Sequence, residues 1–237
     1  MAQIIDFHSH VLPGIDDGST SVEESIGMLR METEQGIGHV IATPHFYARH
    51  DLPAAFLQKR NEAEVRLREE MARQEDLPRL SVGAEIYYFP GIADSEVLQE
   101  LTIDKKECII LEMPPSPWSE SMYKEIEGIS IKQGITPIIA HIDRYIRPFR
   151  THGIVERLAE LPVLVQANAN FFLRTGTRRM ALRLLRDDKI HLLGSDCHNL
   201  SSRQPNMGQA LQVIQQHLGA EALSRLETYQ RMLLQAD

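Results

Sequence analysis

The chain has 237 residues with 43 % hydrophobic and 24 % charged side chains, ordinary for a soluble globular protein and enough for one large domain with a substantial core. Its formal charge of −8 argues against a general nucleic-acid binder, which needs a basic face, although bound metal ions would offset several of the acids. No run approaches the roughly 20 apolar residues that cross a bilayer. Met1-Ala2-Gln3 opens no basic or apolar leader, and Cys108 and Cys197 do not make a disulfide framework, so a cytoplasmic protein with reduced thiols is expected.

Short β-type runs alternate with helical ones, which predicts parallel strands joined by crossover helices. Ile4 to Phe7 reads as the first strand. Ser21 and Glu24 make a capping box, and Val22, Ile26, Leu29 and Thr33 keep a helical stripe until Gly36 stops it. His39 to Thr43 is expected as the second strand. A long charged helix follows from Pro53 to about Gln74, with Phe56, Ala63, Leu67 and Met71 near one face. Leu80 to Ala84 reads as the third strand, Gly91 to Leu101 as a short helix and Cys108 to Leu111 as the fourth strand. A turn at Pro114, Pro115 and Pro117 leads to a helix over about Glu120 to Gln133 and a fifth strand at Pro137 to Ala140. Next come a helix from after Arg150 to about Leu161, a sixth strand at Pro162 to Ala167, a basic helix over about Thr177 to Arg186 and a seventh strand at Ile190 to Gly194. Helices over about Asn206 to Leu218 and Ala220 to Leu234 close the chain. No repeat, low-complexity tract or linker interrupts it, so residues 1–237 are expected to form one α/β domain, a closed or nearly closed seven-stranded β/α barrel.

The ligand-type side chains fall at the ends of those strands. His8 and His10 alternate in an extended segment, so both imidazoles reach one side, and the Pro13-Gly14 turn brings Asp16 and Asp17 back toward them. His45 follows the second strand, Glu85 the third, Glu112 ends the fourth and His141 the fifth. Asp196 and His198 follow the seventh, and only the sixth ends without an ionisable ligand type, in Gln166-Ala167-Asn168. In a parallel barrel all carboxyl ends lie on one face, where active sites of this fold sit, so these residues converge. The set suits manganese, iron or zinc. Two or three such ions would clamp a phosphoryl oxygen and lower the pKa of a bridging water to give hydroxide, which fits phosphate hydrolysis best. Arg144, three residues after His141, lies on the same rim and offers two-point contact to a phosphate.

The motifs DFHSH with PGIDDG, ATPHF, GAEI, LEMP, AHIDRY and GSDCHN, followed by Arg203, span residues 4–203. Together they resemble the PHP superfamily of metal-dependent phosphoesterases, most closely its capsule-type bacterial protein tyrosine phosphatases. The resemblance implies a distorted seven-stranded TIM-like barrel with three divalent metal ions, usually manganese, with iron or zinc as alternatives. It assigns His8, His10, Glu85 and Asp196 to one ion, and Glu85 as a bridge with Glu112 and His141 to a second. Asp17, His45 and His198 would hold the third, with Asp16 an alternative to Asp17. Glu112, where many superfamily members are expected to carry His, looks like the tyrosine phosphatase branch. Arg144 looks like its phosphate-binding arginine, with Arg203 assisting. The implied substrate is a phosphotyrosine-bearing protein, a bacterial tyrosine autokinase of capsule or exopolysaccharide synthesis.

Other readings stand beside these. A small-molecule phosphatase acting on a compound such as histidinol phosphate, a catalytically silent scaffold module and a nuclease are the alternatives, the last disfavoured by the acidic balance. Cys197 and Arg203 have the C-x5-R spacing of cysteine-dependent tyrosine phosphatases, but the intervening HNLSS has no glycine to open a phosphate loop. Asp6, Asp143, His39, His50, His152, His191 and His217 read as structural or solvated, with Asp6 a possible partner for an imidazole. Arg147 and Arg150 could widen the basic rim, and Tyr87, Tyr88 and Phe89 either stack on an aromatic phosphoester or pack the barrel rim.

Overall fold

The computed structural model describes residues 4–146 and 153–234. Elements in chain order are β1 (Ile5–Ser9), α1 (Val22–Glu34), β2 (His39–Ala42), β3 (His45–Phe46), α2 (Pro53–Met71), β4 (Arg79–Val82), β5 (Glu85–Tyr87) and α3 (Leu98–Leu101). They continue with β6 (Cys108–Glu112), α4 (Glu120–Gln133), β7 (Thr136–Ile139), α5 (Ile154–Leu158), β8 (Leu164–Asn168), α6 (Ala169–Leu173), α7 (Thr175–Arg186), β9 (Leu192–Gly194) and α8 (Met207–Leu234). All strand pairs are parallel, in a sheet ordered β1-β2-β4 and a second ordered β3-β5-β6-β7-β8-β9. The second sheet curls back to the first. An isolated parallel bridge joins Ser9 to Cys197, where Asp196 N donates to His8 O at 2.8 Å and His10 N to Cys197 O at 2.9 Å.

Nine short strands thus stand, among the described residues, where seven were expected. The second and third expected strands each break and restart. Thr43-Pro44 separates β2 from β3, and Gly83-Ala84 separates β4 from β5. Ladder bonds carry across both gaps, from Gly83 N to Ala42 O and from Glu85 N to Pro44 O, each 2.9 Å. The restarts begin at His45 and Glu85.

Local chemistry accounts for the helices. At α1, Ser21 Oγ accepts from Glu24 N at 3.2 Å, while the Glu24 carboxylate reaches back to Thr20 rather than to Ser21, giving a shifted capping box. Pro53 starts α2, which ends at Met71, short of Gln74. The helix expected over 91–101 is a 3-10 turn at Ile92–Asp94 and then α3, because Ser95 is extended between them. The expected helix after Arg150 begins outside the described residues and appears as α5. The two closing helices form one assigned element, α8, broken at Gly219 with φ 75°. Helix α6 was not anticipated.

The apolar face of each helix packs on the sheet in one large core that includes Leu29 of α1, Leu67 of α2, Ile129 of α4 and Leu185 of α7. A second cluster of Phe7, Ile41, Cys108, Ile110, Ile138 and Leu192, contributed by successive strands, packs with Tyr229, Leu233 and Leu234 of α8. Burial of this kind contributes about 25 cal/mol per Å² and fixes the frame that presents the strands' carboxyl ends. No helix among the described residues is long and apolar enough to cross a membrane.

Candidate metal centre

The carboxyl ends of β1, β6, β7 and β9 and the starts of β3 and β5, just past β2 and β4, bring together five imidazoles and the carboxylates of Asp16, Asp17, Glu85, Glu112 and Asp196. Glu85 is central and 1 % exposed. Its Oε2 lies 3.2 Å from His8 Nε2, 3.4 Å from His10 Nε2 and 2.9 Å from His45 Nδ1, and its Oε1 lies 2.7 Å from His141 Nε2. Glu112 Oε1 is 3.5 Å from His141 Nε2. Asp17 Oδ1 lies 3.3 Å from His45 Nε2 and 3.4 Å from His198 Nε2. Asp196 Oδ1 is 3.8 Å from His8 Nε2 and 3.6 Å from His10 Nε2.

These contacts gather each ligand group that the resemblance implies, with two differences of detail. His10 also joins Asp17, His45 and His198, and His45 also joins Glu85 and Glu112. Of the adjacent pair, Asp17 faces His45 and His198. Asp16 instead braces the ligands from behind. Its Oδ2 pairs with His10 Nδ1 at 2.8 Å and accepts from His45 N at 3.1 Å, while its Oδ1 accepts from Gly18 N at 2.9 Å.

A metal fits this donor set. His8 Nδ1 faces Gln166 Oε1 at 3.4 Å, His10 Nδ1 faces Asp16, and His198 Nδ1 faces Asp196 O at 3.0 Å, so each ring presents Nε2 to the centre. His8 Nε2 and His10 Nε2 then stand 3.2 Å apart, a pairing that either a bound cation or a shared proton satisfies. His45 Nδ1, Glu85 Oε2, His141 Nδ1 and His198 Nε2 are buried and make no well-formed hydrogen bond among the described residues, although His45 Nδ1 and Glu85 Oε2 lie 2.9 Å apart. Buried polar atoms are normally paired, so such a concentration marks a missing partner. Burial, and then His10, lowers His198 to about 4, whereas on His10 burial is outweighed by Asp16 and Glu85, which raise it to about 10, so an ion bound there would displace a proton from His10. Burial opposes charge on Glu85, yet the surrounding imidazoles, His8 first, hold its carboxyl well below the usual range.

Irregular backbone aims these side chains. His141 at φ 32° and Asp196 at φ 54° are left-handed non-glycine residues, a conformation that persists where surrounding contacts hold it. Two glycines permit close approach. A Cβ on Gly18 would lie 2.3 Å from His10 O, and one on Gly194 would lie 2.5 Å from His8 Cβ and 2.7 Å from Gln166 Nε2.

Both arginines reach the centre. Arg144 pairs through Nη2 with Asp196 Oδ2 and through Nη1 with Glu112 Oε1 at 3.3 Å, and Arg203 Nη2 pairs with Asp196 Oδ1 at 2.8 Å. Arg147, Arg150 and His152 lie outside the described residues. Strand β8 lacks a charged ligand type but is not idle. Gln166 Oε1 accepts from His141 N at 2.6 Å, and Asn168 Nδ2 donates to Asp196 Oδ2 at 2.8 Å. Asp16, Gln166 and Asn168 were missed as orienting groups; the two-residue spacing of Gln166 and Asn168 on one strand face was the available signal. Asp6 sits beneath, accepting from His8 N at 3.0 Å and from Ser195 N at 2.9 Å, and so ties β1 to the segment after β9. Asp143 accepts from Asn168 N, and His39 and His191 bond locally to Ser81 and Val165.

The C-x5-R spacing is not a phosphate loop. Asn199 Oδ1 accepts from Ser201 N, Ser201 Oγ and Arg203 N, so the loop closes on its own side chain. Burial, with Glu32 and Asp6 nearby, pushes the Cys197 thiol well above its ordinary value. At the rim, Tyr47 stacks on His45 at 5.3 Å between ring centroids, and Tyr87 lies 5.7 Å from Tyr47. Tyr88 instead donates its hydroxyl to Glu125, and Phe89 packs on the core.

A curled parallel β/α sheet with clustered imidazoles and carboxylates at its carboxyl ends defines the class, a β/α-type metal centre. Residues 4–234 match the model of the family described as capsular polysaccharide synthesis, CpsB/CapC, and the chain belongs to that family. It is 30 % identical over 235 residues to the tyrosine-protein phosphatase CpsB of Streptococcus pneumoniae, covering 94 % of each chain. It is 29 % identical to the tyrosine-protein phosphatase YwqE of Bacillus subtilis, covering 98 % of this chain and 91 % of the relative. Among solved structures, one from crystal structures of YwqE and CpsB, described as unique metal-dependent tyrosine phosphatases, matches with a TM-score of 0.84 at 26 % identity, covering 98 % of this chain and 94 % of that one.

Proposed function

We propose that this chain is a metal-dependent protein tyrosine phosphatase, a phosphoric monoester hydrolase acting on a phosphotyrosine-bearing protein. The observation that carries the reading is the convergence of imidazole and carboxylate ligand atoms around Glu85, beside two arginines and in a chain whose relatives are named for this activity. In this reading the metal ligands are His8, His10, Asp17, His45, Glu85, Glu112, His141, Asp196 and His198. The domain is single, with β2–β3 and β4–β5 each counted as one of seven barrel strands. The protein works in the cytoplasm, on a tyrosine autokinase of capsule or exopolysaccharide synthesis.

Charge supports more than one ion. The carboxylates of Asp16, Asp17, Glu85, Glu112 and Asp196 carry −5 and Arg144 with Arg203 +2, leaving −3. One divalent ion would leave the centre negative and repel a phosphate dianion; two or three reverse its sign. Three ions, manganese first, satisfy the ligand groups. Bound there, they supply Lewis-acid activation of water and of the phosphoryl group. The protein's own residues do the rest. Asp16, Gln166 and Asp196 O fix the imidazole orientations, Arg144 and Arg203 present donors to phosphoryl oxygens, and Tyr47 with Tyr87 offers the phenol ring an aromatic wall. That wall favours an aryl over an alkyl phosphate, and a phenolate leaves without strong acid catalysis.

Treatment with EDTA is expected to abolish turnover of a phosphotyrosyl peptide, manganese to restore it, and Cys197→Ser to keep it, with alkyl phosphates turned over poorly. Activity that survives metal removal but is lost in Cys197→Ser would overturn the reading; a preference for alkyl phosphates would move it to a small-molecule phosphatase.

A further inference from the structure

Although the chain is acidic overall, residues 161–186 contain no Asp or Glu and carry Arg174, Arg178, Arg179, Arg183 and Arg186. Helix α7 buries Ala181, Leu184 and Leu185 and turns the remaining face outward. Two of the arginines are used internally. Arg178 donates to the carbonyls of Phe172 and Leu173 at 3.0 and 2.9 Å, and Arg186 pairs with Asp187 at 3.2 Å. Arg174, Arg179 and Arg183 have no carboxylate partner among the described residues. Helix α2 differs, since its arginines include Arg68 paired with Glu64.

Two depressions follow this face. A cleft of about 340 Å³ beside the metal centre is lined by Arg144, Asn170, Arg174, Thr177 and Arg203. A groove of about 830 Å³ outside it is lined by α7 residues from Thr175 and Gly176 to Arg179 and Arg183, with Met180 and Leu182 among them, and by Leu218 of α8. Their linings interleave at residues 174–177, so one basic path leads from the centre along α7. The large apolar residues exposed on the described surface are Tyr47, Leu52, Val65, Ile131, Leu200 and Met232, none of them on α7. Met180, Leu182 and Leu218 in the groove are only partly exposed, so the face lacks the fully exposed apolar anchors of a membrane-binding helix.

We propose that this face of α7 docks an acidic segment of the phosphorylated substrate, with Arg174 nearest the phosphotyrosine and Arg179 and Arg183 farther along. The inference rests on the phosphatase reading and deepens it. Arg174 to Arg183 spans about 13 Å at 1.5 Å per helical residue, which an extended peptide covers in about four residues. The acids recognised thus lie within several positions of the phosphotyrosine, on one side of it. Exposed charge pairs are individually weak, so the track sets preference and encounter rate and leaves the chemistry to the centre.

The test compares manganese-loaded wild type with the double variant Arg179→Glu, Arg183→Glu. The substrates are a phosphotyrosyl peptide with an acidic flank, one with a neutral flank, and p-nitrophenyl phosphate. Wild type is expected to prefer the acidic peptide through a lower KM, and to lose that preference in high salt. The double variant should lose about tenfold or more in kcat/KM on the acidic peptide, while p-nitrophenyl phosphate, which has no flank, is turned over as before. The Arg179→Lys, Arg183→Lys variant should retain the preference. If charge reversal impairs folding, Arg179→Gln, Arg183→Gln reads the same loss at smaller amplitude. No flank preference in wild type, or a preference unchanged by charge reversal, overturns the proposal. So does binding to phosphatidylserine vesicles that depends on Arg179 and Arg183, without any peptide preference. Failure of the phosphatase reading would appear separately, as wild type inert toward p-nitrophenyl phosphate.

Discussion

Asp16 offers a sharp test of how the centre is held, because it touches the site only through other residues. Its Oδ2 faces His10 Nδ1 at 2.8 Å and His45 N at 3.1 Å, and its Oδ1 faces Gly18 N at 2.9 Å. Burial opposes its charge, but the His10 contact and the backbone donors from Gly18 and His45 hold its carboxyl at about 2. In Asp16→Asn the shape survives, but one of the two oxygens becomes an NH2 group. Whichever way the amide turns, a donor faces a donor, either at Gly18 or at His10 and His45.

The magnitude has two parts. Removing an orienting partner of a metal-bound imidazole typically costs 10–100-fold in metal affinity, about 1.4 to 2.7 kcal/mol. Leaving a buried backbone N–H unpaired costs roughly 1–3 kcal/mol of stability. The first part is read by manganese titration calorimetry on metal-stripped protein and the second by urea unfolding without metal. Asp16→Asn is expected to weaken at least one manganese site by that factor while every ligand atom remains. Metal affinity equal to wild type alongside a loss of stability would mean that Asp16 only closes the Pro13-to-Gly18 turn, and the orienting role would fail.

Two further outcomes follow from the same geometry. Arg144→Ala removes a cation from beside the Asp196 and Glu112 carboxylates, so manganese affinity should hold or rise, while kcat on a phosphotyrosyl peptide falls by about 10²–10³ from the lost phosphate contact; metal loss in parallel with activity would make Arg144 structural. Burial, and then Arg79, lowers His39 from its ordinary 6.5 to about 4, so below pH 6.5 the unfolded chain takes up a proton that the folded one refuses. That stability is present above the unfolded value and is lost as pH falls, by about 2 kcal/mol between about pH 7 and 5, and His39→Gln should remove it; an unchanged difference in urea midpoints would refute the assignment.

The residues proposed as metal ligands were legible in the sequence because, Asp17 in its turn apart, each stands at or just past the end of an apolar β-type run, and a parallel sheet sends such positions to one face. Asp16, Gln166 and Asn168 were not read as orienting groups, since the two-residue spacing of Gln166 and Asn168 places them on one strand face but does not by itself separate an amide that holds an imidazole from an ordinary strand residue, and Asp16 has no spacing signal at all. Which of Asp16 and Asp17 faces His45 also depends on the closed turn. Strands β3 and β5 have two and three residues, too short for any alternation to register. Helix α6 was hidden because its five residues, Ala169 to Leu173, follow β8 directly and are too few to show a helical period.

The departures from regular strand geometry fall at the ligands themselves. Strand β1 shifts register between Asp6 and Ser9, around His8; β2 and β4 stop and restart at His45 and Glu85; β7 and β9 lead into left-handed residues at His141 and Asp196. A regular strand alternates its side chains between two faces, so several straight strands would send some ligands toward the helices. Turning them to one point uses a local break in most of these strands, though not in β6, and such breaks persist only where other contacts over-determine them. Here those contacts include Asp6 on His8 N, Gln166 on His141 N and Asn168 on Asp196. Sequence pattern therefore reads the elements well and their boundaries poorly for one reason: the boundaries are where the fold departs from regularity to build the centre.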